Sequence, residues 1–138
     1  KYDMAYAARA DSYYWLDEYE LAVADYSKAI ELDPEYAEAY SGRAYAYYWL
    51  GEYEKAIADY SKAIELDPEE RESYSKRAET YEIQGEFENA IADHSRVIEL
   101  APTDAWAYYD RAEAYDLKGD KEKAEADFFR ARELGLED

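Results

Sequence analysis

Small and aromatic residues recur three or four positions apart along the chain, which is the spacing of one face of an α-helix. The first block, residues 3–16, has a row of small residues at Ala5, Ala8 and Ser12. The second block, residues 19–32, has an apolar stripe at Ala22, Tyr26, Ala29 and Ile30. Each block therefore predicts one amphipathic helix.

This pair of helices is repeated at a fixed distance. The three prolines of the chain lie 34 residues apart, and residues 24–35 recur without change as residues 58–69. A period of this size is typical of a repeat architecture in which stacked hairpins share one core. We therefore predict a single array of four repeats, residues 3–36, 37–70, 71–104 and 105–138.

Short connections separate the predicted helices and force neighbouring helices to be antiparallel. A glycine follows the first helix of the last three repeats, at Gly51, Gly85 and Gly119, and Asp17 holds this position in the first repeat. Between repeats, we expect Asp33 to cap the following helix and Pro34 to occupy its first position. The pattern predicts an all-α fold of eight helices in four hairpins.

The composition adds a strong charge bias. The 138 residues include 35 acidic and 16 basic residues, which gives a net charge of −19, and 18 tyrosines. Such a chain lacks the clustered cations that bind nucleic acid or anionic membranes. It would attract a cationic partner, although high charge can also serve solubility alone.

No motif for catalysis is present. The chain has no cysteine, no glycine-rich phosphate loop, no calcium loop and no nucleophile elbow. Its one histidine, His94, occupies a packing position of the repeat, so we expect a core residue rather than a metal ligand. We predict no enzyme activity, no metal and no cofactor.

The sequence has no apolar run of about 20 residues and no signal peptide, from which we expect a cytoplasmic protein. It begins Lys-Tyr-Asp-Met and ends Leu-Glu-Asp, which suggests a fragment of a longer chain. Residues 3–36 and 37–70 are nearly alike in their second halves. This similarity is consistent with a consensus-like or engineered origin.

The repeat resembles the tetratricopeptide repeat (TPR) family across essentially the whole chain. The second repeat carries the pattern of the family at Tyr40, Ala44, Tyr47, Ala56, Tyr60, Ala63 and Pro68. The other repeats follow it, except that His94 replaces an aromatic residue and the last repeat lacks its proline. Arginine replaces a common leucine in every repeat, at Arg9, Arg43, Arg77 and Arg111, where it can pair with a carboxylate. The resemblance implies a right-handed α-solenoid, the TPR superhelix.

The resemblance also implies a protein-interaction module that binds a peptide segment in a concave groove lined by the first helix of each hairpin. The ligand-binding residues carried over are Asp11, Tyr14, Trp15, Glu38, Tyr45, Tyr48, Trp49, Glu72, Lys76, Glu79, Glu82, Trp106, Tyr109, Asp110 and Glu113. The aromatic members of this set either contact the ligand or only pack between hairpins. Aromatic and acidic residues together favour a cationic or mixed basic and apolar peptide.

One TPR subfamily holds the acidic C-terminal tail of heat-shock chaperones with lysine, asparagine and arginine side chains. The corresponding positions here are Ala7, Asp11, Gly42, Glu72 and Lys76. Among them, Lys76 is the single residue suited to bind a carboxylate. We therefore expect no chaperone-tail clamp. An alternative function is an engineered or self-assembling scaffold without a dedicated ligand, in which uncapped ends associate.

Overall fold

The computed structural model describes residues 1–137, and this range contains eight α-helices and no strand. The helices are α1 (Tyr2–Trp15), α2 (Tyr19–Leu32), α3 (Ala37–Trp49), α4 (Tyr53–Leu66), α5 (Arg71–Ile83), α6 (Phe87–Leu100), α7 (Ala105–Lys118) and α8 (Lys121–Glu133). Each helix has 13 or 14 residues. The predicted all-α fold is confirmed.

The chain divides into two compact units, Lys1–Ser73 and a second unit that begins at Tyr74. In the first unit, α1 packs on α2, α2 on α3 and α3 on α4. In the second unit, α6 packs on α7 and α7 on α8. Within each unit, these helices therefore contact their neighbours in sequence, as expected of hairpins joined by short turns.

Alanine forms most of the core in both units. Ala10, Ala22 and Ala29 are fully buried in the first unit, and Ala90 and Ala114 are fully buried in the second. Such small side chains let helix axes approach closely. At one place even alanine is too large, because a methyl group added at Gly42 would lie 2.5 Å from Cζ of Tyr26.

The turns within hairpins follow the prediction. Gly51, Gly85 and Gly119 have φ angles of 74°, 76° and 92°, and Asp17 has a φ angle of 59°. All four lie in the left-handed region, which glycine adopts without strain and aspartate tolerates better than most residues. These residues end the first helix of each hairpin.

The prediction for the turn between repeats was wrong. Asp33 ends α2 instead of capping α3, whose N-cap is Tyr36. The residue before a proline is disfavoured in the helical region, and Asp33 accordingly has φ −139° and ψ 94°. Its carboxylate accepts a hydrogen bond from the Glu35 backbone N–H (3.1 Å), and the Pro34 carbonyl accepts one from the Tyr40 hydroxyl (2.9 Å).

An arginine–aspartate pair joins the two helices of every hairpin. Arg43 donates from Nε and Nη2 to the two carboxylate oxygens of Asp59, at 2.7 and 2.8 Å. The other three pairs repeat this geometry and are Arg9–Asp25, Arg77–Asp93 and Arg111–Asp127. The expectation that these arginines pair with carboxylates is confirmed. Two bonds in one plane fix the guanidinium and align both helices.

Candidate functional site

Seven aromatic side chains meet where the first helix of each hairpin ends and the second begins in the first unit. This aromatic cluster consists of Tyr14, Trp15, Tyr19, Tyr45, Tyr48, Trp49 and Tyr53. Its members come from α1, α3 and the first residues of α2 and α4. Because the repeat places equivalent residues side by side, rings from the two hairpins stack on one another.

Ring contacts hold the aromatic cluster in one arrangement. Tyr14 and Tyr45 stack with centroids 5.2 Å apart, and Tyr19 and Trp49 stack at 6.2 Å with nearly parallel planes. The Trp49 indole N–H donates a hydrogen bond to the Tyr14 hydroxyl (3.2 Å). Such offset and edge-on contacts stabilise each aromatic pair by about 0.5–1.5 kcal/mol beyond the area they bury. The cluster is therefore largely pre-organised.

The inner and outer rings of the cluster differ in exposure. Tyr14, Tyr45 and Tyr48 are half-buried, whereas Trp15 and Trp49 are 80% and 52% exposed. Burial and the neighbouring Tyr45 hydroxyl raise the pKa of Tyr14 to about 12. The tyrosines of the cluster are therefore packed between the hairpins, whereas more than half of each indole remains exposed to solvent.

Carboxylates surround this cluster. Asp17 accepts a hydrogen bond from the Tyr19 hydroxyl (2.9 Å). Glu18 and Glu52 are the N-cap residues of α2 and α4, next to the tyrosines that begin those helices. The surface around the indoles therefore combines exposed aromatic rings with negative charge.

In the second unit, acidic side chains gather around the histidine. This acidic cluster consists of Glu79, Glu82, His94, Asp110 and Glu113. His94 is 2% exposed, and its Nε2 lies 2.8 Å from Oε1 of Glu82, so the expected core role is confirmed. Burial raises the pKa of Asp110 to about 6, assisted by the nearby glutamates and opposed by His94.

Two further candidates on α7, Trp106 and Tyr109, lie beside the acidic cluster, and the charge of Glu113 raises the pKa of Tyr109. With Phe128 they line a cavity of about 330 Å³ between α7 and α8. The Tyr109 ring lies edge-on to both Trp106 (5.7 Å) and Phe128 (5.3 Å). Trp106 is 60% exposed, so the cavity opens to the surface.

The remaining candidates lie nearer the helix starts. Glu38 and Glu72 are exposed residues in the first turns of α3 and α5. Lys76 Nζ lies 3.3 Å from the carboxylate of Glu79. The structure thus divides the predicted set into an aromatic group in the first unit, an acidic group and a cavity pair in the second, and exposed glutamates.

Sequence reasoning missed three aromatic residues of these groups, besides the smaller and charged residues that line the cavity. Tyr19 and Tyr53 complete the aromatic cluster, and Phe128 lines the cavity. The signal for the tyrosines was available, because both stand at the same repeat position, 34 residues apart. They were overlooked because they begin the second helix of a hairpin, whereas the groove was assigned to first helices.

Residues 1–137 hold no group of three or more histidine, aspartate or glutamate residues arranged to bind a metal ion. Within the same range, every helix is too short or too polar to cross a membrane.

Family models match most of the chain. A model described as tetratricopeptide repeat matches residues 37–70, and one described as TPR repeat matches residues 10–51 and 81–119. A search of curated protein sequences gives no significant match.

Solved structures share the fold. A crystal structure of MamA is 26% identical, with a TM-score of 0.91 over 96% of this chain and 77% of that one. The first TPR of Spaghetti (RPAP3) bound to the HSP90 peptide SRMEEVD is 24% identical, with a TM-score of 0.81 over 85% and 93%. A MamA fragment from Desulfovibrio magneticus RS-1 is 17% identical, with a TM-score of 0.88 over 96% and 75%. The last two likenesses concern the fold alone.

Proposed function

This chain belongs to the tetratricopeptide repeat family of protein-interaction modules, and we propose that its aromatic cluster binds peptide segments that combine lysine or arginine with apolar residues. The observation that carries the proposal is the pair of exposed indoles, Trp15 and Trp49, fixed by stacked tyrosines. Exposed aromatic patches of this kind mark interaction sites more often than scattered apolar residues do. We retain a single array of four repeats as the domain organisation.

The chemistry of the cluster favours a cation beside an apolar group. A lysine or arginine over an indole face is stabilised by about 0.5–2 kcal/mol, depending on how far it is desolvated. The carboxylate of Asp17 lies beside the cluster, because it accepts a hydrogen bond from the Tyr19 hydroxyl (2.9 Å). An excess of 19 negative charges further attracts a basic peptide over long range.

An acidic tail is a poor fit to the same surface. A chaperone-tail clamp needs cationic and amide side chains at five positions of the groove. Two of these positions are held here by a buried alanine, Ala7, and by an anion, Asp11. Gly42 has no room for a side chain, because Tyr26 fills the space above it. The peptide preference of this chain therefore differs from that of the RPAP3 domain, whose bound peptide SRMEEVD ends in acidic residues.

The other predicted residues extend the proposal to the second unit. Glu79, Glu82, Asp110 and Glu113 form an anionic surface that suits a second basic group of a ligand. Glu38 and Glu72 add exposed negative charge, and Lys76 is paired with Glu79. We assign these residues a supporting electrostatic role and the aromatic cluster the main role in affinity.

Substitution of the indoles tests this proposal. A fluorescently labelled peptide of alternating lysine, proline and leucine is titrated with the wild type and with Trp15→Ala and Trp49→Ala. Each loss of an exposed aromatic anchor is expected to weaken binding about 5–30-fold, the range of a contact worth 1–2 kcal/mol. Phe129→Ala is the matched control, since Phe129 is 58% exposed but lies outside the cluster. Equal effects of all three substitutions would contradict the proposal.

A second candidate function is a self-associating scaffold. It is favoured by one observation: large apolar side chains outside the aromatic cluster are exposed, among them Leu21 (47%), Leu117 (58%) and Phe129 (58%). The near-identity of repeats, which suggested an engineered origin, fits this candidate equally well.

A further inference from the structure

One position of the repeat carries an exposed apolar side chain in every hairpin. Trp15, Trp49, Ile83 and Leu117 stand 34 residues apart, and their exposed fractions are 80%, 52%, 49% and 58%. Trp49 and Ile83 have this exposure although complete hairpins precede and follow them in the chain. Exposure therefore belongs to the repeat position, and in the first unit this position holds two indoles.

Helix packing sets the distance between the two indoles. Helices α1 and α3 are in contact, and Tyr14 of α1 stacks on Tyr45 of α3. Helices that pack directly have axes about 8–10 Å apart. Trp15 and Trp49 hold equivalent positions on these two helices, which run in the same direction because one antiparallel helix separates them in the chain. The indoles are therefore anchored about 8–10 Å apart.

A peptide in the polyproline II conformation has a matching period. This helix has three residues per turn and rises about 3.1 Å per residue, so residues i and i+3 lie on one face about 9 Å apart. In an extended strand, residues on one face are about 7 Å or about 13 Å apart, and neither spacing matches the indoles. In an α-helix, residues i and i+7 are about 10 Å apart, so a second criterion must separate the two helical ligands.

Hydrogen-bond donors of the cluster provide this criterion. Within residues 1–137, the Trp15 indole N–H and the Tyr53 hydroxyl donate to no other group, whereas the Trp49 indole N–H donates to Tyr14. An α-helical ligand has its own carbonyl groups bonded internally. A polyproline II backbone has no internal hydrogen bonds, so its carbonyl groups are free to accept. The two free donors therefore favour a polyproline II ligand.

Both partners of such a contact are rigid before they meet. The Trp15 ring lies edge-on to Tyr14 (5.3 Å, 78°), and the Trp49 ring lies edge-on to Tyr48 (5.5 Å, 88°). Proline-rich segments are likewise pre-formed, and aromatic surfaces on other domains bind them for this reason. Little conformational entropy is lost when two pre-organised surfaces associate.

Negative charge beside the cluster is distributed unevenly. Glu18 and Glu52 hold the same repeat position, each in the turn that precedes the second helix of its hairpin. Glu52 forms an ion pair with Lys55, whose counterpart in the first repeat is Leu21. In the described part of the chain, Glu18 forms no ion pair and is exposed. A cation of the ligand is therefore attracted to the Trp15 side of the cluster.

We propose that the aromatic cluster binds proline-rich peptides in the polyproline II conformation, with prolines three residues apart on Trp15 and Trp49. A lysine or arginine of the peptide lies beside Glu18, and a backbone carbonyl of the peptide accepts the hydrogen bond of the Trp15 indole. The inference rests on the proposed function, peptide binding by this cluster, and names the class and conformation of the peptide.

Three labelled peptides of equal length and charge test the conformation. The first repeats the triplet Pro-Leu-Lys, the second has alanine in place of each proline, and the third contains the residues of the first with its prolines two positions apart. By fluorescence anisotropy, the first should bind about tenfold more tightly than the second, because proline lowers the conformational entropy lost on binding. It should bind about fivefold more tightly than the third, where no two prolines are three residues apart and one anchor is lost.

Indole N–H resonances test how the peptide lies on the cluster. The chain has three tryptophans, and ¹H–¹⁵N spectra assigned with Trp→Phe variants distinguish them. On saturation with the first peptide, the Trp15 signal should move downfield as its N–H acquires a carbonyl partner. The Trp49 signal should move less, because its N–H is already bonded to Tyr14, and the Trp106 signal should stay in place. An unchanged Trp15 signal in the saturated complex overturns the proposed contact.

Matched charge variants test the position of the cation. Glu18→Gln and Glu35→Gln remove the same charge from exposed residues, at the two ends of α2, about 21 Å apart. The Glu18 side chain makes no capping hydrogen bond, so its substitution leaves α2 intact. Glu18→Gln should weaken binding of the first peptide about 2–5-fold, the range of an exposed ion pair, and Glu35→Gln should not. Equal effects of the two substitutions overturn the placement beside Glu18.

The peptide comparison separates this inference from the function on which it rests. Equal binding of the first and second peptides, or tighter binding of the second, retains peptide binding by the cluster and overturns the polyproline II conformation. Equal binding of the first and third peptides overturns the spacing of three residues between anchors. Absence of binding by all three peptides overturns the proposed function together with the inference.

Discussion

The arginine–aspartate pairs offer the sharpest test of how this fold is stabilised. Arg43–Asp59 and Arg9–Asp25 lie in the same unit and have nearly the same geometry, with Nε–Oδ2 distances of 2.7 and 2.6 Å. They differ in the exposure of the arginine, which is 20% for Arg43 and 59% for Arg9. The substitutions Asp59→Asn and Asp25→Asn therefore make the same chemical change in two environments.

The expected cost follows from burial. Removing one partner of a fully buried ion pair costs about 3–5 kcal/mol, because the other charge is left uncompensated. Arg43 retains some access to water, and asparagine can still accept one hydrogen bond, so we expect Asp59→Asn to cost about 2–3 kcal/mol. Arg9 can rehydrate when its partner is lost, so Asp25→Asn should cost clearly less.

Urea unfolding followed by far-ultraviolet circular dichroism measures both losses as free energies of unfolding. Asp127→Asn provides a repeat of the test, since the Arg111 side chain is 22% exposed and its pair has the same geometry. We expect Asp59→Asn and Asp127→Asn to be similar and both larger than Asp25→Asn. Equal losses for Asp59→Asn and Asp25→Asn would refute the argument from burial.

Three further predictions concern other contacts. Gly42→Ala should destabilise the first unit by about 1 kcal/mol in urea unfolding. Overpacking against Tyr26 costs about 1–3 kcal/mol, and alanine regains about 1 kcal/mol of helix propensity. A gain in stability would contradict the close approach of α3 to Tyr26. In the wild type, the free energy of unfolding should fall as the pH rises from about 4 to about 6, because the folded-state pKa of Asp110, about 6, lies above its unfolded value and the fold disfavours the ionised carboxylate. Asp110→Asn should remove this fall. An unchanged slope of unfolding free energy against pH in the variant would contradict the prediction. His94→Phe should keep the second unit folded in circular dichroism, since the histidine occupies a buried aromatic position; unfolding would show that its contact with Glu82 is essential.

Much of the fold could be predicted because the repeat presents the same signals four times. The left-handed residues Asp17, Gly51, Gly85 and Gly119 were identified from their spacing alone, and their φ angles are positive. The pairing of the four arginines with carboxylates was also expected. The sequence did not identify the aspartate that pairs with each arginine, 16 residues later in the chain, because this pairing depends on how the two helices of a hairpin face each other.

The turn between repeats was mispredicted because two local rules compete there. Asp33 and Pro34 have the composition of a helix start, but proline also restricts the residue before it. In the structure the second effect prevails, and α3 begins three residues after Pro34, at Ala37.

Parts of the candidate site also depend on packing that sequence spacing does not reveal. Tyr19 stacks on Trp49 across 30 residues, a contact made possible by the pairing of hairpins in the first unit. The burial that raises the pKa of Asp110 likewise arises from side chains on several helices of the second unit. Residue type alone did not distinguish Asp110 from the many exposed carboxylates of the chain.

The most direct test of the central claim is binding to a peptide array at about 0.01 M and about 0.1 M salt, where the Debye length is about 30 Å and about 10 Å. The array should pair basic, apolar-containing peptides with acidic-tail peptides of the same length. We predict that the basic peptides bind, that their binding weakens with salt, and that the acidic tails do not bind. Binding of the acidic tails, or no binding of the basic peptides at either salt, would contradict the assignment of the aromatic cluster as a site for cationic peptides.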